Sequence, residues 1–218
     1  MTKKILAIAN ATGVANALSN CIAKFKDDKK LEHILLSEGP SKDIFDSKSI
    51  HYKTLQDYGF NNVKEDNIAH IIKKEKPDLI FTGFSEGGML EKYSINNAKL
   101  NSIPSITVLE GYTNYLKIVS DPKIKEPFKY MPDYICIMDE FTLEAMLKLG
   151  FDKSKLILTG NPYFDDIGHL KNSFTGEDFK IVRKELNVDL DSYLTTFFSQ
   201  AITKVVNKGL NYDVKGYN

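Results

Sequence analysis

The chain has 218 residues, with 29 basic and 29 acidic side chains and a formal net charge of zero. A nucleic-acid-binding domain ordinarily carries a basic excess, so no nucleic-acid partner is expected. No stretch approaches the ~20 consecutive apolar residues of a membrane-spanning helix, so no integral membrane segment is expected either. Two cysteines, Cys21 and Cys136, fall in a predicted helix and a predicted strand. They read as buried and reduced, which points to the cytoplasm. They lack metal-ligand spacing and the histidines are scattered, so neither a metal nor another cofactor is expected.

Ile5–Ala9 is an apolar run that reads as a first strand, and Asn10-Ala11-Thr12-Gly13 as the turn after it. Val14, Ala17, Leu18, Cys21, Ile22 and Phe25 then share one face at helical period. His33–Leu36 reads as a second strand, Ser37–Ser49 as a loop broken at Gly39-Pro40, and Ile50–Leu55 as a third, edge strand. Asp66–Lys74 places Ile68, Ile71 and Ile72 on one helical face. Leu79–Thr82, Ile106–Leu109, Tyr134–Met138 and Leu156–Thr159 follow as strands, with helices predicted over Leu90–Leu100, Phe141–Leu149 and Phe164–Leu170. Gly111–Met131 is a long irregular segment, and such loops are often functional. Phe174–Leu186 reads as a further helix and Tyr193–Ser199 as a β-like run.

This alternation predicts an α/β fold: a Rossmann-like parallel sheet with helices on both faces and right-handed crossovers. Ligands of such sheets bind at the carboxyl ends of the strands. The small, polar and acidic residues there are therefore the candidates. Asn10, Thr12 and Gly13 either present backbone amides to a phosphate or simply form a tight turn. Gly83-Phe84-Ser85-Glu86-Gly87-Gly88 permits close approach of backbone to ligand, with Gly83, Ser85 and Gly87 as contacts and Glu86 as a general base or a solvated turn acid. Glu110 ends a buried strand and is either a general base, raised by burial toward a useful range, or an acid that caps a helix or pairs with a lysine. Tyr112 and Asn114 offer an aromatic face and an amide for a sugar, or pack within the loop. Asp139 and Glu140 read first as a helix start, with Asp139 the N-cap and Gly150 the C-terminal stop. Gly160 and Asn161 form another strand-end turn.

With these residues laid out, the chain resembles the GT-B superfamily of nucleotide-sugar enzymes. UDP-N-acetylglucosamine 2-epimerase, lipid-A-disaccharide synthase and capsule-polysaccharide transferases are the members it is most similar to. Lys76-Pro77-Asp78 leads into a strand ending Thr82-Gly83. Ile103-Pro104-Ser105 leads into a strand ending Glu110-Gly111-Tyr112-Thr113-Asn114-Tyr115. Met131-Pro132-Asp133-Tyr134-Ile135 is followed by Met138-Asp139-Glu140, then Leu149-Gly150-Phe151 and Leu158-Thr159-Gly160-Asn161-Pro162-Tyr163-Phe164-Asp165. The resemblance covers Lys76–Asp166 and is shared across the superfamily rather than tied to one activity.

It implies residues 1–172 as a GT-B N-terminal domain, 173–190 as a connecting helix, and 191–218 as the beginning of an incomplete second α/β domain. It further implies the acceptor-side part of a glycosyltransferase or sugar-nucleotide epimerase of polysaccharide biosynthesis, truncated or one subunit of a split enzyme. The partners are then a nucleotide sugar or sugar acceptor and a separate donor-binding domain or subunit. The family's donor-binding residues would lie beyond Asn218, so none is carried over and the isolated chain is expected to be inactive. The competing readings are a non-catalytic interaction subunit and a small-molecule-binding α/β protein.

Overall fold

The computed structural model describes residues 2–84, 88–112, 114–121 and 126–197. The sequence places apolar side chains on both faces of its strands, and the structure buries both. β1 (Lys3–Ala9) turns Ile5, Ala7 and Ala9 to one side and Leu6 and Ile8 to the other. This is the two-residue period of a strand covered on both faces. On the first side, α1 (Thr12–Phe25) and α2 (Ser41–Ser47) bury Val14, Ala17, Leu18, Ile22 and Phe45. On the second, α3 (Glu65–Glu75) and α4 (Leu90–Leu100) bury Ile68, Ile71, Ile72, Leu90 and Ala98.

The six strands are all parallel, in the order β2-β1-β3-β4-β5-β6. They are β1, β2 (Leu31–Ser37), β3 (Leu79–Gly83), β4 (Ser105–Val108), β5 (Tyr134–Ile137) and β6 (Leu156–Leu158). The order reverses direction at β1 and β3, so the loops after those strands diverge and leave a crevice at their carboxyl ends. A third group of buried side chains, including Phe84, Ile95, Leu109, Tyr115, Ile135 and Met146, carries the core onward to α5 (Tyr115–Val119) and α6 (Glu140–Lys148).

Three sequence expectations are corrected here. Ile50–Leu55 is not an edge strand: only Lys53 bridges to Leu36, and the segment passes into a 3-10 turn over Gln56–Tyr58 that stops at Gly59. Lys53 is held next to β2 by its backbone, donating to the Leu35 carbonyl and accepting from the Ser37 N–H, and its ammonium donates to Glu75. The Ser37–Ser49 stretch is not all loop, because Gly39 and Pro40 end one element and start α2, which buries Phe45 completely. The long Gly111–Met131 segment contains α5, whose Tyr115, Ile118 and Val119 form a buried stripe at helical spacing.

Glu75, at the end of α3, is 8% exposed and collects three donors. Lys4 Nζ donates to Oε2 at 2.9 Å, while Lys53 Nζ and the Tyr58 hydroxyl donate to Oε1 at 3.0 and 2.6 Å. These bonds join α3, β1 and the segment before the 3-10 turn at the end of the sheet opposite the crevice.

By contact, the chain divides into two compact units, Met1–Lys171 and Asn172–Asn218. α7 (Tyr163–Ser173) runs across that division. In the second unit, α8 (Gly176–Glu185) starts with a capping box in which Thr175 and Asp178 bond each other's backbone. Arg183 donates to the carbonyls of Asp189 and Ser192 and folds the following turn onto the helix. Residues 193–197 form no strand, and Tyr193 and Phe197 are exposed. A strand needs a neighbour for its backbone groups, and the second unit contains no other strand among its described residues. The remainder of the expected β-like run lies outside the described residues.

Candidate active site

The crevice is built from the ends of β1, β3 and β4. β1 delivers Asn10, and the start of α1 brings Gly13 beneath β4's last residues. A Cβ placed on Gly13 would stand 2.4 Å from Glu110 Oε2 and 2.6 Å from Oε1. The absence of a side chain there is what lets the Glu110 carboxyl lie against the first turn of α1. No side chain caps that helix, and its N-terminal residue Ala11 is extended.

Glu110 Oε2 is buried and meets no hydrogen-bond partner among the described residues. Burial, with a smaller contribution from the nearby Glu91 charge, pushes the Glu110 carboxyl up to about 7. The partial positive charge at the start of α1 favours the ionised form. Desolvation outweighs it, and among the described residues no amide bonds Oε2 to offset it.

Glu91 was not singled out in the sequence. It lies in the first turn of α4, is 1% exposed, and its Oε1 accepts the Asn10 N–H at 2.8 Å. An acid in a first helical turn ordinarily reads as a surface residue complementing the helix dipole. The signal that marks it as buried is its place at i of the stripe completed by Ile95 at i+4 and Ala98 at i+7, both buried. α4 buries further polar groups beside it: Lys92 donates to the carbonyls of Lys117 and Ser120, and Ser94 to that of Leu90.

Gly83 closes β3 against α1. A Cβ on it would approach Val14 Cγ1 to 2.6 Å, Cγ2 to 2.7 Å and Cβ to 3.0 Å. Val14 is fully buried and stiff about its first torsion, so it cannot turn aside. Gly83→Ala is expected to lower stability by about 1–3 kcal/mol, read as a lower urea midpoint at unchanged slope. A midpoint equal to that of the parent chain would show that α1 can lift from the sheet freely.

Gly39 has φ +61°, and a Cβ there would lie 2.7 Å from Asn10 Oδ1. The turn after β2 therefore presses on the turn after β1, a second contact that sequence reasoning missed. Asn10, Gly13, Gly83 and Glu110 thus belong to one crevice, with Thr12 exposed at its rim. Ser85, Glu86 and Gly87 lie outside the described residues.

Tyr112 is exposed, its hydroxyl donating to Asp139 Oδ2 at 2.9 Å and its ring edge-on to Phe141. Asp139 caps α6, its Oδ1 accepting the Thr142 N–H at 2.8 Å, and Glu140 is exposed beside it. Asn114 has φ 62° and starts α5. Gly160 and Asn161 lie elsewhere. Asn161 Oδ1 accepts the Tyr163 N–H at 3.0 Å, and the Pro162 carbonyl accepts from Asn20 on α1 at 2.7 Å. Asn20 is seven residues along α1 from Gly13, about 10 Å at 1.5 Å per residue. Among the described residues no group of three or more His, Cys, Asp or Glu side chains could hold a metal ion, and no helix is long and apolar enough to cross a membrane.

No family model matches the chain. No curated protein matches it. Solved structures do. S. aureus MnaA in its UDP co-structure is 18% identical with a TM-score of 0.61, over 82% of this chain and 51% of that one. The UDP-GlcNAc 2-epimerase of Neisseria meningitidis, solved with UDP-GlcNAc, is 14% identical with a TM-score of 0.62, over 86% of this chain and 55% of that one. The Methanocaldococcus jannaschii UDP-GlcNAc 2-epimerase is 15% identical with a TM-score of 0.59, over 85% and 54%. The chain spans about half the length of these structures, and over that half it shares their Rossmann-like α/β fold.

Proposed function

We propose that this chain forms the sugar-facing, acceptor-side half of a GT-B-type glycosyltransferase or sugar-nucleotide epimerase, with Glu110 as its acid–base group. The observation that carries the reading is the Glu110 carboxyl, buried at the end of β4 and raised to about 7. Such a group is part protonated at neutral pH, so it can take a proton from a sugar hydroxyl or carbon and return it. Tyr112 supplies an exposed ring two residues further on, and Asp139 fixes its hydroxyl. Glu86, from its place in the sequence after β3, is the second candidate for the base. The matched structures that were solved with UDP or UDP-GlcNAc support a nucleotide-sugar ligand.

In this reading residues 1–172 are the first domain and 173–190 the link to a donor-binding domain or subunit. The unpaired Cys21 and Cys136 are in keeping with a cytoplasmic enzyme of polysaccharide biosynthesis. Positioning of donor against acceptor supplies much of the rate of such transfers, so the chain alone is expected to bind weakly and not to turn over. The test is amide NMR of the chain titrated with UDP-GlcNAc to millimolar concentration. Shifts centred on Asn10, Gly13, Gly83 and Gly111 are expected. Shifts confined to other parts of the sheet, or none, would remove the proposal.

A further inference from the structure

Two carboxyl groups share the buried end of the crevice, and only one belongs to a strand-end motif. Glu91 comes from α4 and takes the backbone N–H of Asn10 at 2.8 Å, while Glu110 Oε2 takes no donor among the described residues. We propose that Glu91 is a positioning residue of this site: it fixes the β1–α1 turn through Asn10 and keeps a negative charge beside Glu110, so that Glu110 carries the proton of the pair. The inference rests on the reading of Glu110 as the acid–base group.

Adjacent carboxyls in a poorly solvated space do not both ionise cheaply, and a donated amide hydrogen bond favours the charged form of the group that accepts it. That assigns the charge to Glu91 and the proton to Glu110. Among the described residues, the charged groups of the neighbouring elements have partners of their own. α1 has no acidic residue in its first turn. On α4, Lys92 points to the carbonyls of Lys117 and Ser120 and lies over the Tyr130 ring. Glu38, after β2, accepts the Leu55 N–H. Asp139 on α6 is held by Thr142 and Tyr112. The upward push that the Glu91 charge exerts on Glu110, second to burial, agrees with this division.

The pair is read directly by NMR titration of glutamate side-chain carboxyl carbons in the ligand-free chain, with Glu110 assigned through Glu110→Gln. In Glu91→Gln the amide oxygen still accepts from Asn10, but the charge is gone. The Glu110 midpoint is expected to fall by about one unit, with the burial contribution left in place. An unchanged midpoint would overturn the electrostatic half of the proposal. In Glu91→Leu the Asn10 N–H loses its acceptor, and its hydrogen exchange is expected to accelerate at least about tenfold. Exchange at the parent rate would overturn the anchoring half. Should either variant fail to fold, the parent chain suffices. Coupled groups report each other's titration, so the Glu91 carbon must show an inflection at the Glu110 midpoint, and a flat Glu91 trace there sinks the pair. None of these readings needs ligand. Absent UDP-GlcNAc binding would therefore count against the proposed function alone.

Discussion

Glu110→Gln is expected to stabilise the folded chain by about 2 kcal/mol at pH 8 and to change it little at pH 4. The Glu110 carboxyl titrates near 4.5 when unfolded and at about 7 when folded. Between those values the folded form binds more protons, so stability falls as pH rises and is level above the upper one. The whole gap is worth on the order of 3 kcal/mol at about 1.4 kcal/mol per pH unit. Partial contact of the side chain with solvent reduces it. Glutamine keeps the shape against Gly13 without the charge. Urea unfolding of both chains between pH 4 and 8 decides the matter: parallel stability curves would mean that the carboxyl is solvated after all. A cost in stability at neutral pH is what the proposed acid–base role of Glu110 predicts.

Glu75→Gln is expected to act in the opposite sense, costing about 2–3 kcal/mol at pH 7. Burial pushes the Glu75 carboxyl up, but the hydrogen bonds from Tyr58, Lys4 and Lys53 outweigh it and bring it down to about 2. Its contribution is complete above its unfolded value of 4.5 and is lost as pH falls through the folded one. Replacing the carboxylate leaves two ammonium groups facing an amide in a half-closed space, with Lys4 and Lys53 side chains 24% and 39% exposed. That exposure keeps the cost below that of a fully buried pair. The difference between parent and variant, measured by urea unfolding, should shrink on acidification toward pH 2. A constant difference across that range would show that Glu75 acts by packing rather than by charge.

Much of this architecture is legible in the residues. Ile5–Ala9 and Leu79–Thr82 are short apolar runs bounded by turns, and the stripes of α1 and α3 keep helical period, so strand, helix and parallel pairing follow. Ile50–Leu55 failed because Ile50 and Tyr52 pack on the core under α2 and Leu55 on the core under α3 and α4, while only Lys53 reaches the backbone of β2. α2 was hidden by serines and aspartates that read as loop, although Ile44 and Phe45 give it an inward face. In the crevice, the position of Glu110 was legible because it follows a buried strand and precedes a glycine. The sequence left a helix cap or a lysine partner as open as a general base, and Glu110 has neither among the described residues. Glu91 was not legible, because its meaning depends on the backbone of Asn10, 81 residues away. The contacts of Gly13 and Gly39 were likewise beyond a turn signal, since each glycine answers to a side chain from a distant segment.

The place of β1 in the sheet has a consequence during synthesis. β1 pairs with β2 from Lys3 and Leu31 onward, and with β3 from Ile5 and Leu79 to Ile8 and Thr82. At ~5–20 residues per second, the 48 residues that separate Leu31 from Leu79 take roughly 2–10 s to appear. For that interval the edge of β1 from Ile5 to Ile8 lacks the strand that covers it in the folded chain. An unpaired apolar edge is a template for any other extended segment. Crowded polysomes would bring many such edges together, and the lysines at positions 3 and 4 are the charges nearest to keep them apart.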